Sequence, residues 1–281
     1  MNKMTNQKGM TIVELLIAMG LGIFLMAGVV QVFLGSKQTF TTINAQSHMQ
    51  ENGRFAMDFM ARILRHGGYT TEINIDEILD PILRKETFLA QGDFAEGIAV
   101  TGVNNAALAG VKAGTDVVRV RIEGSNDSPV TDCQGVVIAP DQWSEISYGV
   151  TDDAEFQCQT INATGTTTVT LVEGIDDLQI QYGVNVGGVV DTFDYPDDRP
   201  DEQLLTASKF VNADDMTADD WEDVVSIKVA MLASSDGAPL EHSVAQTYDV
   251  LDNATVSYQD GKARQIFTQT ISLRNPVYPA E

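Results

Sequence analysis

The chain opens with one long apolar segment. From Leu15 to Gly35 the only strongly polar residue is Gln31. At the rise of an α-helix this segment would span about 31 Å, close to the hydrocarbon thickness of a bilayer. The pattern therefore predicts a membrane-spanning helix. Glu14 lies at the N-terminal edge of the apolar run, and a carboxylate at membrane depth normally requires a partner.

A second helical pattern follows the apolar segment. No proline occurs before Pro81, and an apolar stripe repeats at helical spacing. The stripe consists of Phe55, Ala56, Phe59, Met60, Ile63 and Leu64. This spacing is typical of an amphipathic helix, and the Gly67-Gly68 pair predicts where the helix stops. The two patterns together predict one helix from about Met10 to His66, half in the membrane and half supporting an exported domain.

From residue 70 onward, short β-rich runs alternate with Gly, Asp, Asn and Pro. The predicted strands are 97–103, 116–123, 135–139, 145–150, 156–160, 166–172, 178–186, 225–231 and 267–273. Alternating apolar residues from Leu178 to Val186 predict a strand with one buried face. Residues 73–89 are compatible with a short helix. This order predicts an α+β fold, in which a long N-terminal helix packs on an antiparallel, β-rich domain.

Charge is distributed unevenly along the chain. Residues 1–66 contain six basic and three acidic residues, whereas the remaining residues contain 11 basic and 37 acidic ones. A domain this acidic is repelled by phosphate groups, which argues against binding of nucleic acid. Solubility outside the cell is the explanation we favour for the negative charge.

Nine aspartates lie between Asp191 and Asp220. The segment is predicted to be an exposed acidic loop. Calcium binding stays an open alternative because calcium prefers clustered carboxylates, although the spacing and glycine of an EF-hand loop are missing. Within the segment, Thr217 and Asp220 are placed to cap a short helical turn, and Trp221 could anchor that turn to the core.

The only two cysteines are Cys133 and Cys158. In an exported domain they are expected to form a disulfide that closes a loop of about 26 residues. In the chain-entropy model this bond would contribute roughly 3 kcal/mol of stability. A metal or redox pair is the alternative, but no CxxC motif or neighbouring histidine supports it.

No catalytic motif is evident in the sequence. The three histidines, His48, His66 and His242, are scattered, and no HExxH, GxSxG or phosphate-binding P-loop motif occurs. Carboxylates are so abundant that the proximity of two of them would not indicate acid–base catalysis. We therefore predict a protein that is not an enzyme and that has no cofactor, and we assign no metal ligands, with calcium binding by the acidic segment left open.

The junction between Gly9 and Met10 offers a partner for Glu14. If the chain is cut there, the new amino terminus lies four residues from Glu14, about one helical turn. An amine and a carboxylate at that spacing can neutralise each other within one chain or between packed neighbours. The segment therefore combines a processing site with an assembly site.

The sequence from Lys8 through Leu16 resembles the class III signal of type IV pilins and pseudopilins. The resemblance implies that a prepilin peptidase cuts after Gly9, that Met10 is then N-methylated, and that Glu14 guides subunit docking. In that family the commonest residue at the position of Met10 is Phe. A secretory signal peptide would have a shorter apolar region with a small-x-small site after it. A plain signal anchor would leave Glu14 unexplained.

Later segments resemble the PilW family of minor pilins. They are residues 52–56, 67–69, 172–183, 221–232 and 267–275. The resemblance implies a minor pilin that helps to initiate pilus assembly at or near the tip and supports adhesion and twitching motility. Its expected partners are other minor and major pilins, prepilin peptidase, the inner-membrane assembly platform and a tip adhesin. The expected location is the bacterial inner membrane, with a cytoplasmic N terminus and a periplasmic C-terminal domain, and then the pilus fibre.

The predicted organisation has four parts. They are a leader at 1–9, a transmembrane assembly helix at 10–35, its amphipathic continuation at 36–66 and a periplasmic or extracellular domain at 67–281. A pseudopilin of a type II secretion system is an alternative, because it would share the N-terminal signal, but the longer domain favours the pilus. A third reading is a monomeric periplasmic enzyme on an uncleaved signal anchor.

Overall fold

The fold is described here from a computed structural model. It covers residues 9–69, 94, 98–108, 110–125, 129–140, 142–186, 190–193, 202–235, 244–251 and 255–274. The chain divides into two compact units, Met1–Ser47 and His48–Glu281. The short helix predicted within 73–89 lies outside the described residues.

One helix, α1, runs through both predicted helical patterns from Ile12 to Leu64. The Gly67-Gly68 stop is confirmed, because the chain leaves the helix in a turn over residues 65–68. Within that turn the amide of Gly67 donates to the carbonyl oxygen of Leu64 at 3.0 Å. Gly68 has a φ of +76°, a left-handed conformation that glycine adopts without steric cost.

Thirteen strands follow in the described part of the chain. They are β1 Val100–Val103, β2 Val117–Glu123, β3 Trp143–Val150, β4 Glu155–Asn162, β5 Gly165–Glu173, β6 Ile175–Val184, β7 Val190–Phe193, β8 Glu202–Leu205, β9 Lys209–Val211, β10 Val224–Ser234, β11 Gln246–Tyr248, β12 Val256–Tyr258 and β13 Arg264–Ser272. A 3-10 helix at Ala213–Asp215 and a short helix, α2, at Ala218–Glu222 lie between β9 and β10.

The strands form antiparallel sheets. The first large sheet has the order β1-β2-β3-β4-β5, and the second has the order β13-β10-β6-β9. Strand β10 is central to the second sheet, where Val229 lies opposite Gln269 on one side and Ile180 on the other. Two hairpins, β7-β8 and β11-β12, form separate two-stranded sheets. The predicted α+β class with antiparallel sheets is confirmed.

The core of the second unit lies between the last third of α1 and the two large sheets. One buried cluster joins helix residues such as Met60 and Leu64 to residues of both sheets, including Ile146 and Ile227. Most of the predicted apolar stripe is buried, but Phe55 stays 48% exposed. At Gly53 the helix backbone approaches the ring of Phe267 so closely that an added methyl group would overlap the ring.

The prediction of a single buried face for the strand that starts near Leu178 is wrong. All ten residues of β6 are buried. Its apolar side chains enter the main core, whereas polar side chains on its other face satisfy one another and a neighbouring loop. The side-chain amide of Gln179, for example, donates to Asp177 Oδ1 at 2.8 Å and to the Gly114 carbonyl oxygen at 2.9 Å.

The predicted strand at 135–139 is also not formed. Val137 makes only an isolated bridge with Thr131. The segment is a tight turn, in which the carboxylate of Asp132 accepts hydrogen bonds from the backbone amides of Gln134 and Val136, both at 2.9 Å. An aspartate that binds the backbone in this way favours a turn over a strand.

The predicted disulfide is present. Cys133 and Cys158 are bonded, with their Cα atoms 5.7 Å apart, and both residues are buried. The bond attaches the turn after Asp132 to the middle of β4, and the amide of Cys133 also donates to Thr160 Oγ1 at 3.2 Å. The turn is therefore fixed to the first sheet by a covalent bond and a hydrogen bond.

Candidate functional site

The predicted cleavage junction lies outside the helix. Gly9, Met10 and Thr11 are not helical, and all three are exposed. Helix α1 begins immediately afterwards at Ile12. The peptide bond between Gly9 and Met10 therefore lies in exposed, irregular backbone next to a helix start.

Thr11 caps the start of α1, and Glu14 completes the cap. The backbone amide and the hydroxyl of Thr11 both donate to Glu14 Oε2 at 3.0 Å. In return, the amide of Glu14 donates to Thr11 Oγ1 at 3.3 Å. This reciprocal arrangement is a capping box, which satisfies amide groups that have no partner within the helix.

The cap gives the Glu14 carboxylate a fixed place at the helix N terminus. There it lies near the positive end of the helix dipole, where a negative charge is favoured. Thr11 was not identified as a functional residue from the sequence, although the pattern Thr-x-x-Glu was the signal that could have found it. Before any cleavage, Glu14 thus already has a polar partner in the same chain.

The first part of α1 presents an apolar surface that its own unit does not cover. Every residue from 9 to 44 is exposed. Large side chains illustrate the degree of exposure, with Ile12 at 80%, Phe24 at 77% and Val32 at 71%. By length and composition, α1 is able to cross a membrane. Such a continuous apolar surface is stable only in lipid or against other apolar surfaces.

The predicted cap within the acidic segment is confirmed. Thr217 and Asp220 form a capping box at the start of α2, and the ring of Trp221 packs on that of Tyr182 with centroids 4.7 Å apart. Lys209 Nζ lies 2.8 Å from Asp220 Oδ1. Hydrogen bonds from Lys209 and Thr217 lower the pKa of Asp220 to about 2. This end of the acidic segment is therefore structural.

Other aspartates of that segment, from residue 194 to 201, lie outside the described residues. Within the described ranges, no group of three or more His, Cys, Asp or Glu side chains is arranged to hold a metal ion. Of the three histidines, His66 donates a hydrogen bond from Nδ1 to the Arg62 carbonyl oxygen at 2.8 Å, and His242 is outside the described part.

A partly buried polar cluster connects β13 to β6. The guanidinium of Arg264 donates to Asp176 Oδ2 at 2.6 Å and to Asp260, and it stacks 3.7 Å from the ring centroid of Tyr258. Hydrogen bonds from Arg264 hold the pKa of Asp260 below its ordinary value. Lys112 Nζ donates to the Asp176 carbonyl oxygen at 2.6 Å. Each charged group named in this cluster has a hydrogen-bond partner, so burying these groups leaves no charge without compensation.

Asp116 is a second buried carboxylate. It accepts hydrogen bonds from the amides of Asn105 at 2.9 Å and Ile180 at 2.7 Å, and so fixes a loop to β6. Burial raises the pKa of Asp116 to about 6, and the charges of Asp177 and Asp214 act in the same direction. The residue was not singled out from the sequence, because its burial depends on contacts with distant segments.

The apolar helix with its capped carboxylate and the β-rich domain that follows it in the chain are the features through which this protein resembles type IV pilins. The family model described as "Prokaryotic N-terminal methylation motif" matches residues 4–30, which include the junction, the capping box and most of the apolar run.

The model of the PilW family, described as "Type IV Pilus-assembly protein W", matches residues 146–275. This range begins within β3 and continues past the end of β13. The resemblance to the PilW family that the sequence indicated is thereby confirmed.

No protein among those with curated functions matches this chain. Among solved structures, a type IV-like pilin from Thermus thermophilus is similar, with 11% sequence identity and a TM-score of 0.41. The match covers 80% of this chain and 95% of that protein.

Proposed function

We propose that this protein is a minor pilin of a type IV pilus. In this proposal, prepilin peptidase cuts after Gly9 and Met10 becomes the N-methylated terminus. The mature chain then helps to initiate pilus assembly at or near the tip, together with other pilins, the inner-membrane assembly platform and a tip adhesin. The protein acts structurally and supports adhesion and twitching motility.

The observation that carries the proposal is the exposed apolar surface of α1 with a carboxylate held at its N-terminal end. Large apolar side chains from Ile12 to Leu34 need a surrounding that excludes water. Lipid supplies it before assembly, and the helices of other subunits supply it in a fibre. A charge at the end of such a helix requires a partner in the apolar surroundings, and it therefore favours the neighbouring subunit that supplies one.

Glu14 is the group we assign to that selection. In the uncut chain its carboxylate is bound by the neutral donors of Thr11. Cleavage after Gly9 creates an amine at Met10, one residue before the cap. A carboxylate at a helix start and a newly formed cation can then pair, either in the same chain or between adjacent subunits.

The remaining features agree with a domain on the exported side of the membrane. The basic residues Lys3 and Lys8 precede the apolar helix, which favours a cytoplasmic N terminus. The disulfide between Cys133 and Cys158 requires an oxidising compartment such as the periplasm. We infer a single membrane pass with residues after α1 outside the cytoplasm.

Substitution of Glu14 tests the docking role. For Glu14→Ala we expect normal membrane insertion and cleavage but loss of the chain from sheared pili. Glu14→Gln is the matched control, because it keeps the length and a cap acceptor while removing the charge, and it should also fail to assemble. If either variant enters pili at the wild-type level, the charge of Glu14 does not guide docking.

A deletion strain separates this proposal from a role in protein secretion. Loss of surface pili with normal export of secreted proteins is the expected result. Loss of secretion with normal piliation would instead assign the chain to a pseudopilus and reject the pilus role.

A further inference from the structure

Strand β5 is the outermost strand of the first large sheet, and within the described part of the chain its outer edge pairs with no other strand. It pairs with β4 on one side and ends the sheet order β1-β2-β3-β4-β5. No hydrogen bond from another described segment reaches the backbone of residues 165–170 beyond this pairing. At nine residues β5 is long, whereas the strand at the opposite edge, β1, has four.

Natural proteins normally protect such an edge. Lysine, proline, inward-pointing charges, short strands and bulges are the usual devices. Between Gly165 and Val172 there is no charged residue and no proline. A register shift leaves Leu171 without a partner on β4, so the regular stretch runs from Gly165 to Thr170. The protection is therefore confined to the C-terminal end of β5.

That C-terminal end is also the part that α1 and acidic groups occupy. The side chain of Asn52 donates to the Glu173 carbonyl oxygen at 3.1 Å. Four acidic residues lie at this end of the β4-β5 pair, namely Asp152, Asp153, Glu155 and Glu173. At the opposite end, residues 162–165 carry no charge.

The side chains along the open stretch are self-complementary. Thr166, Thr168 and Thr170 are exposed on one face of the strand. Two of their hydroxyls are already oriented, because Gln159 donates to Thr168 Oγ1 at 3.2 Å and Gln157 to Thr170 Oγ1 at 3.3 Å. Threonines that face each other across paired strands stabilise the pair.

We propose that the free edge of β5 pairs with β5 of a second copy of this chain, antiparallel and across a two-fold axis. Antiparallel pairing centred on Thr168 puts the acidic end of one strand beside the uncharged end of the other, so that the two copies of Glu173 lie ten positions, about 33 Å, apart. Parallel pairing would bring the two acidic ends together. The second copy is the occupant we choose because, with the axis at Thr168, Thr168 faces its own copy and Thr166 faces Thr170 of the second copy. The exposed threonines of both edges then meet across a closed two-fold interface.

The charge of the molecule makes a further distinction. The chain carries a formal net charge of −23, so two copies repel each other except where the facing surfaces are uncharged. Dimerisation through β5 should therefore become stronger as added salt screens the repulsion. Binding to a basic partner at the same edge would instead become weaker with salt.

The test uses the full chain in detergent micelles, with sedimentation velocity as the measure of association. Wild type should form a dimer. Thr168→Lys should raise the dissociation constant of that dimer by about tenfold or more, because two lysines then face each other near the axis. Thr247→Lys is the matched control, since Thr247 is an exposed threonine on β11. Both substitutions make the chain less negative, so a general charge effect would strengthen association in both.

A single introduced cysteine checks the geometry. Thr168→Cys should give a disulfide-linked dimer under mild oxidation, whereas Ser257→Cys, exposed on β12, should not. Circular dichroism confirms that each variant is folded. A monomeric wild type, a dimer that Thr168→Lys leaves intact, or equal cross-linking at Ser257 would each overturn the proposal.

Discussion

At the scale of single residues, Glu14 belongs both to the proposed N-terminal signal and to the cap of helix α1. Glu14 accepts two hydrogen bonds from Thr11, and Thr11 Oγ1 accepts one from Glu14. The residue proposed to guide docking is thus also the residue that starts the helix. Loss of the Thr11 hydroxyl should therefore change how the Glu14 carboxylate is held.

Removal of the Thr11 hydroxyl tests this link. Thr11→Val keeps the shape of the side chain but removes the acceptor for the Glu14 amide, a loss worth about 1 kcal/mol for a helix cap. We expect hydrogen exchange of that amide to become roughly fivefold faster in detergent micelles. Thr11→Ser, which keeps the hydroxyl, should exchange like wild type. Equal exchange in all three proteins would mean that the cap is not formed in solution.

Asp116 predicts an unusual pH dependence of stability. Its pKa is about 6 in the folded protein against an ordinary value of 3.8, so the folded state binds this proton more tightly than the unfolded state. The contribution of Asp116 to the free energy of unfolding should therefore rise as pH falls from 7 to 4, by up to roughly 2–3 kcal/mol. Hydrogen-bonded carboxylates with lowered pKa values, such as Asp260, lose their contribution only at lower pH.

Denaturant unfolding at pH 7, 6 and 5 measures the effect. Wild type should gain stability over this range, and Asp116→Asn, which cannot ionise, should lose most of that gain. Asp220→Asn is the control, because the pKa of Asp220 is about 2 and the group stays ionised throughout. If Asp116→Asn and wild type change with pH in parallel, another group is responsible.

At the scale of elements, α1 has two different surroundings along one continuous helix. Its first part is exposed along residues 9–44, whereas residues near its C-terminal end, such as Ala56 and Met60, are completely buried in the β-rich unit. The change is encoded by sequence, since an all-round apolar run gives way to a one-sided stripe. Gly53 belongs to the buried part, where the helix meets β13.

Gly53→Ala tests that contact. Alanine favours a helix by about 1 kcal/mol over glycine, but the added methyl group would overlap the Phe267 ring. Because overpacking of a core typically costs about 1–3 kcal/mol, we expect a net loss in the free energy of unfolding of the β-rich unit.

Thermal unfolding followed by near-ultraviolet circular dichroism measures the loss. Gly35→Ala is the matched control on the same helix, because nothing lies within 4 Å of its added methyl group. A smaller side chain at the contact, Phe267→Leu, should restore stability to the Gly53→Ala chain. A stabilised single variant would show that the ring moves aside without cost.

At the scale of the whole molecule, the sequence predicts what depends on local pattern. The extent of α1, the disulfide, the cap at Thr217 and the longer strands all follow from spacing within a short window. Short strands such as β11 and β12, at three residues each, contain too few positions to show a period.

Burial of polar strand residues also could not be predicted, because their partners come from far along the chain. Asp176 is buried against Arg264, which lies 88 residues away, and Gln179 reaches Gly114, 65 residues away. The alternating residues of β6 therefore indicated that one side of the strand faces solvent, but in the fold that side is buried as well. The capping role of Thr11 was local and was within reach of the sequence.

In the proposed function, the molecule as a whole joins a leader, an apolar helix and an acidic exported domain. We propose that the chain is cut after Gly9 and enters a pilus through the helix that follows the cut. Processing, methylation and incorporation have different chemical signatures, and one measurement on the fibre reports all three.

That measurement is the intact mass of the chain recovered from sheared pili, with fragmentation of its N terminus. We expect a chain that begins at Met10 and carries one added methyl group on its terminal amine. A fibre that lacks the chain, or a chain that retains residues 1–9, would contradict it.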